Sequence, residues 1–169
     1  LVTCYDSIPW WALWGIMGEA GVPTNTIRAF RRFYEGLTRR FRYGSGDGAS
    51  WKATNGMAQG CPAAPDMLNI LLEPFQRWAA ASGRGVVIPE VDRVPSSSFA
   101  DDVILVASSR GDMENLVAGY LRWCRLLDVR LRPDKTLVWT NRAGTLDWFP
   151  VGSDKVPLSQ TFTAVGIVI

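Results

Sequence analysis

Residues 96–106 read Ser-Ser-Ser-Phe-Ala-Asp-Asp-Val-Ile-Leu-Val, two adjacent carboxylates at the mouth of an apolar strand. Successive strand side chains point to opposite faces, so Asp101 and Asp102 share a surface only where a tight turn breaks the alternation. The pattern therefore predicts a hairpin with the acidic pair at its bend, and a second arm, 103–107, apolar enough to be buried on both sides. A buried carboxylate without a partner is costly, so each acid must meet water, a cation or a donor. The chain contains no histidine, which removes the commonest general base and transition-metal ligand. Oxygen donors of this kind suit Mg²⁺ rather than zinc. A solvated turn is the other reading of the dipeptide, since Asp favours turns.

The rest of the composition sets the frame. With 169 residues, 47% hydrophobic and 20% charged, the chain falls in the globular range and is long enough for one cored domain. Its net charge of +2 is small, but residues 24–52 carry Arg28, Arg31, Arg32, Arg39, Arg40, Arg42 and Lys52 against Glu35 and Asp47. That segment is locally basic. Cys4, Cys61 and Cys124 lie far apart without a CxxC spacing, which argues against a disulfide framework or zinc site and for a reducing compartment. No apolar run reaches the length of a membrane span, and the start has neither Met nor a signal-peptide pattern. The expectation is an intracellular protein of cytoplasm or nucleus, not secreted, without a membrane partner, and an excised fragment.

Working outward, residues 1–5 read as the tail of a strand, and Asp6-Ser7-Ile8-Pro9 as the cap of a helix running to about Ala20. From Thr24 a second helix places Ile27, Phe30, Tyr34 and Leu37 on one face and Arg28, Arg32, Glu35 and Arg39 on another. The glycines at 44, 46 and 48 predict a hairpin within 41–59. A third helix is expected from about Ala64 to Ala81 with Leu68, Leu71, Leu72, Phe75 and Trp78 inward, then a short strand at 86–88. Asp112 caps a fourth helix bearing Met113, Leu116, Val117, Tyr120, Cys124 and Leu127. A strand around 130–140 and a terminal hairpin within 148–169 complete the order. The implied class is α+β, a small antiparallel sheet with helices packed on one face.

Four segments in one order carry a resemblance. Phe99-Ala100-Asp101-Asp102 resembles the FADD motif of reverse transcriptases, especially those of non-LTR retrotransposons and group II introns. The run 56–65, Gly-Met-Ala-Gln-Gly-Cys-Pro-Ala-Ala-Pro, with Asn69 beyond it, is similar to that family's GxxQGxPxSPxxxN segment. Residues 4–10 resemble its AFDSIPW segment, and 131–136 its lysine-containing motif, while 162–169 loosely match its primer-gripping hairpin.

The resemblance implies a polymerase palm with a ferredoxin-like core over 1–147, including part of the fingers insertion at about 24–58, and a primer-grip-like hairpin over 148–169. It implies RNA-directed DNA polymerisation on an RNA template from a DNA primer with dNTPs, through two Mg²⁺ ions (or Mn²⁺). Asp101 would be the direct catalytic metal ligand and Asp102 the supporting one. Tyr5, Gln59 and Lys135 would bind the nucleotide, and Gly60, Pro62, Asn69, Arg28, Arg32 and Arg39 the template and primer. Asp6 reads instead as a cap or charge partner. The family's first metal-binding Asp falls one position before Leu1, so this stretch alone is expected to be inactive. Thr3 and Ala64 depart from the family's usual Lys and Ser. A catalytically retired palm that only binds RNA or protein, and a nonenzymatic α+β domain, are the competing readings.

Overall fold

The computed structural model describes residues 4–44, 46–58, 60–99, 102–141, 147–159, 161, 163–164 and 167–168. The chain forms two compact units: one holds 4–74 with Leu127–Val129, the other 75–126 and the described residues from Arg130 on. Helix α4 (Ala64–Ala81) runs through both, and the division falls at its internal Pro74.

The first unit begins with α1 (Cys4–Ser7), where a strand tail is expected from sequence. Pro9 has no N–H to offer the Tyr5 carbonyl, which accepts instead from the Met57 N–H at 2.5 Å, while the Ile8 carbonyl accepts from the Gly56 N–H at 2.7 Å. Helix α2 (Trp10–Glu19) has Pro9 at its N-cap position, without a side-chain cap from that residue. Helix α3 (Thr24–Glu35) ends at Gly36, whose N–H bonds back to the Arg32 and Phe33 carbonyls. Thr38, β-branched, then opens β1 (Thr38–Tyr43), which pairs antiparallel with β2 (Gly46–Lys52) as the glycine pattern predicts. Arg39 consequently sits on a strand and not on the cationic face of α3. Ile8, Leu13, Met17, Tyr34, Met57 and the Leu68–Leu71–Leu72 face of α4 are buried here.

In the second unit, β3 (Val86–Ile88) pairs with β4 (Asp92–Val94), and β5 (Ser96–Phe99) with β6 (Asp102–Leu105). Helix α5 (Arg110–Leu126) is capped by Ser109 rather than Asp112. Ser109 Oγ accepts the Asp112 N–H at 3.1 Å and donates to the Asp112 carboxylate at 2.8 Å. Where a strand is expected around 130–140, Pro133 starts a 3₁₀ turn (Pro133–Lys135), leaving the two-residue β7 (Val138–Trp139). Strands β8 (Trp148–Val151) and β9 (Asp154–Ser159) form a hairpin, with β7 parallel to β9, and β10 (Thr163–Ala164) pairs with β11 (Ile167–Val168).

The α+β class holds, but the described strands fall into five small sheets rather than one. Pro95 separates β4 from β5 and, lacking an N–H, supplies only its carbonyl to Val106, at 2.9 Å. Phe149, Val151 and Val156 form a core with Met113, Val117 and Leu121 of α5. Phe75, Tyr120 and Trp123 form an aromatic cluster, Tyr120 and Trp123 stacked at 5.9 Å. Trp78, expected inward, is 44% exposed because its ring lies across Gly119 instead of entering the core. Among the described residues no helix is long and apolar enough to cross a membrane.

Candidate active site

The two arms of the acidic hairpin pair as the sequence predicts. Ser96, Ser97, Ser98 and Phe99 pair with Leu105, Ile104, Val103 and Asp102 in antiparallel register. Asp102 therefore opens β6 opposite Phe99, with its carboxylate exposed, while Val103 and Ser98 share the other face. Gln76 of α4 donates from Nε2 to Ser98 Oγ at 2.6 Å and holds that face. An open pocket lined by Gln76, Ala80, Pro95 and Ser96–Ser98 lies beside it. Residues 103–107 are half-buried instead of buried on both sides, because β5 and β6 form only a two-stranded ribbon. Asp101 lies outside the described residues.

In the first unit two sequence motifs are stitched together. Beyond the bonds to the Tyr5 and Ile8 carbonyls, Trp10 Nε1 donates to the Gly56 carbonyl at 2.8 Å. Gly56 has φ +80°, and a Cβ there would stand 2.5–2.7 Å from Asp6 backbone atoms, so only glycine permits the approach. Asp6 is a charge partner: Arg39 Nη1 donates to its carboxylate at 3.2 Å, and Arg39 Nη2 to the Asn55 carbonyl at 3.4 Å. Arg39, expected on nucleic acid, is thus committed to holding α1 against the 55–57 turn. Tyr5 is half-buried within α1.

Of the expected loop residues, Gly60 is exposed at φ +84° with open space around it, and Pro62 is exposed in the following turn. Gln59 lies outside the described residues. Asn69 is exposed on α4, at the border of its leucine face, and Arg28 and Arg32 are exposed on α3.

Behind the loop, Tyr34 is fully buried among the edges of Trp10, Trp14 and Phe33, with centroids 5.4–6.1 Å away. Its hydroxyl makes no hydrogen bond of ordinary geometry among the described residues, with the Cys61 side chain and the Ala58 backbone as its polar neighbours. Burial, reinforced by the neighbouring Cys61 thiol, pushes its pKa up to about 12. Lys135 is exposed at the end of the 3₁₀ turn. Arg132 braces that turn by donating Nε to Asp134 at 3.1 Å and Nη2 to its other oxygen. The guanidinium holds the Asp134 carboxyl below the usual range.

The exposed Asp102 oxygens fit a hydrated hard cation. Among the described residues no group of three or more His, Cys, Asp or Glu gathers into a metal cage. The carboxylate at the end of a serine-rich ribbon, the glycine-dependent loop tied to the 4–10 segment, and the lysine-bearing turn are the elements expected of one family. A family model described as reverse transcriptase (RNA-dependent DNA polymerase) matches residues 1–168. The chain belongs to the reverse transcriptase family. It is also similar to the Transposon TX1 uncharacterized 149 kDa protein of Xenopus laevis, with 42% identity over 60 residues, 35% of this chain and 5% of that protein.

Sequence reasoning alone does not reach the Asp6–Arg39 pair, the Trp10–Gly56 bond or the Ser109 cap. The Ser-x-x-Asp spacing at 109–112 was a readable signal for the last of these. Nothing local announced the other two in this reverse transcriptase.

Proposed function

We propose that this chain is the palm of a non-LTR-type RNA-directed DNA polymerase that extends a DNA primer on an RNA template with dNTPs. Asp101 and Asp102 hold Mg²⁺, or Mn²⁺ in its place, through carboxylate oxygens. The bound cations supply charge neutralisation for phosphoryl transfer. Tyr5 closes the floor under the incoming sugar, Gln59 and Gly60 line the nascent base pair, and Lys135 offers a cation to the triphosphate. Pro62 and Asn69 border the template, and the exposed Arg28 and Arg32 face backbone phosphate. Arg39 contributes through Asp6, by keeping α1 and Tyr5 against the 55–57 turn.

The observation that carries this reading is the family match over 1–168, inside which the acidic hairpin, the GMAQG loop and the lysine turn all fall. The test is primer extension by the natural polypeptide carrying this chain, on an RNA template in Mg²⁺ and in Mn²⁺. Asp101→Asn is expected to abolish extension while leaving template binding in place, and Asp102→Asn to weaken it. Extension that survives Asp101→Asn overturns the assignment. Template binding by the parent polypeptide without extension in either metal would replace it with a pure binding module.

A further inference from the structure

The 55–57 turn carries a chemistry that the polymerase reading does not use. Asn55 precedes Gly56, whereas Asn25, Asn69, Asn115 and Asn141 precede Thr26, Ile70, Leu116 and Arg142. An asparagine can react with its own main chain: the next residue's backbone nitrogen, once deprotonated, attacks Cγ of the side-chain amide. The N–Cγ bond forms, the Cγ–Nδ2 bond breaks, and the amide nitrogen leaves as ammonia with the proton the backbone gave up. Water then opens the cyclic imide at either carbonyl, giving aspartate or isoaspartate. A following glycine favours ring closure because no side chain obstructs the attacking nitrogen. Asparagine is thermolabile for this reason.

In the folded chain that nitrogen is held. Asn55 is exposed, but Gly56 is buried and its N–H donates to the Ile8 carbonyl at 2.7 Å. The groups on either side are fastened too. Trp10 Nε1 donates to the Gly56 carbonyl at 2.8 Å, and the Met57 N–H donates to the Tyr5 carbonyl at 2.5 Å. Arg39, paired with Asp6, reaches the Asn55 carbonyl with Nη2 at 3.4 Å. A buried amide bonded in this way gives up its proton only when the structure opens. The nucleophile therefore forms only when the 4–10 segment lifts off the turn. The product does not fit back. Isoaspartate routes the main chain through the former side chain, so the backbone before Gly56 gains a carbon. Gly56 already lies so close to Asp6 that an added Cβ would stand 2.5–2.7 Å from its backbone atoms. A longer main chain cannot return both the Gly56 N–H to Ile8 and its carbonyl to Trp10.

We propose that Asn55 is a modification site gated by the docking of the 4–10 segment. While the segment is in place Asn55 is spared deamidation, and once isoaspartate has formed in the open state the segment cannot dock again. The reaction needs only water, without metal or nucleic acid, so the proposal stands apart from the polymerase reading. The experiment is peptide mapping by mass spectrometry of the natural polypeptide carrying this chain, incubated at neutral pH, with isoaspartate read by enzymatic methylation. A synthetic peptide spanning 50–61 is the unfolded reference. Deamidation at Asn55 is expected to run at least about tenfold slower in the folded protein than in the peptide. Trp10→Phe removes the bond to the Gly56 carbonyl, and Arg39→Gln the reach to Asn55, without altering the reacting pair. Each should raise the folded rate about fivefold, and amide hydrogen exchange at Gly56 by the same factor. Trp11→Phe, at an exposed neighbour, should change neither. The isoaspartate product should lose exchange protection at Gly56 and Met57, whereas Asn55→Asp, which adds the charge without lengthening the main chain, should keep it. A folded rate equal to the peptide's overturns the proposal. So does a variant that speeds Gly56 exchange without speeding deamidation, or an isoaspartate product as well protected as the unmodified chain.

Discussion

Replacing Gly56 by alanine tests whether the glycine-dependent loop is truly fastened to the 4–10 segment. At φ +80° a non-glycine residue carries strain of roughly 1–3 kcal/mol. The added Cβ would also stand 2.5 Å from the Asp6 carbonyl oxygen, closer than any real Cβ contact, and its obstacle is backbone, which cannot swing aside like a side chain. Relief requires α1 to move off, at the expense of the bonds from Gly56 N–H to Ile8 and from Met57 N–H to Tyr5, each worth about 1 kcal/mol. The sum is a loss of about 3–5 kcal/mol, much of the stability of an ordinary domain. Gly60 is the internal control: its φ is +84° but open space surrounds it, so Gly60→Ala carries the strain alone. Urea denaturation at matched slopes reads both as shifts of midpoint. If Gly56→Ala costs no more than Gly60→Ala, the close approach to Asp6 is wrong and so is the stitched geometry built on it.

Gly119→Ala places a methyl 2.0–2.8 Å from three atoms of the Trp78 ring and should destabilise by about 1–3 kcal/mol. Trp78→Ala should absorb most of that loss, and a double-mutant cycle in urea checks the coupling. Tyr34→Phe removes a buried hydroxyl that makes no hydrogen bond of ordinary geometry among the described residues, and should change stability by no more than about 1 kcal/mol, read by the same midpoint shift. Burial lifts the Cys124 thiol from 9.0 to about 11, so native protein should leave it unlabelled by a thiol reagent while half-buried Cys61 reacts, as peptide mapping would show. Because the folded state keeps the Cys124 proton more tightly than the unfolded chain, its stabilising contribution is whole below pH 9.0 and drains away as pH rises toward about 11. Cys124→Ala should flatten that part of the alkaline stability profile.

How much of this was legible in the sequence depends on how far each determinant lies along the chain. Helix α4 comes out with its expected bounds because its signals are local: leucines recur at three- and four-residue spacing and Ser82-Gly83 end it. The β1–β2 hairpin is equally local, written in its glycines. Periodicity alone runs past Gly36 and puts Arg39 on the helix, whereas the helix stops at Gly36. The 130–140 segment was misplaced because Pro133 favours a turn over the strand its flanks suggest. Residues 4–5 have the composition of a strand end, yet they fold as a helix whose following carbonyls are satisfied by partners some fifty residues away, at Gly56 and Met57. Trp78 shows the same dependence, its exposure decided by a missing side chain at Gly119.

The candidate site divides along the same line. Candidate residues can be proposed from sequence because the chemistry would require particular side chains at fixed short spacings, as at Asp101–Asp102 and the GMAQG loop. Their supports could not, because Asp6–Arg39, Trp10–Gly56 and Gln76–Ser98 join residues 33, 46 and 22 positions apart, and any of several polar residues could have served. The glycine in the GMAQG segment illustrates the difference most sharply. As a letter in a motif it says only that backbone freedom is wanted; the 2.5 Å approach to Asp6 says which neighbour demands it. The physical content of that motif is therefore a contact with the 4–10 segment as much as a loop for a ligand, and a substitution there should damage the fold before it reaches the chemistry.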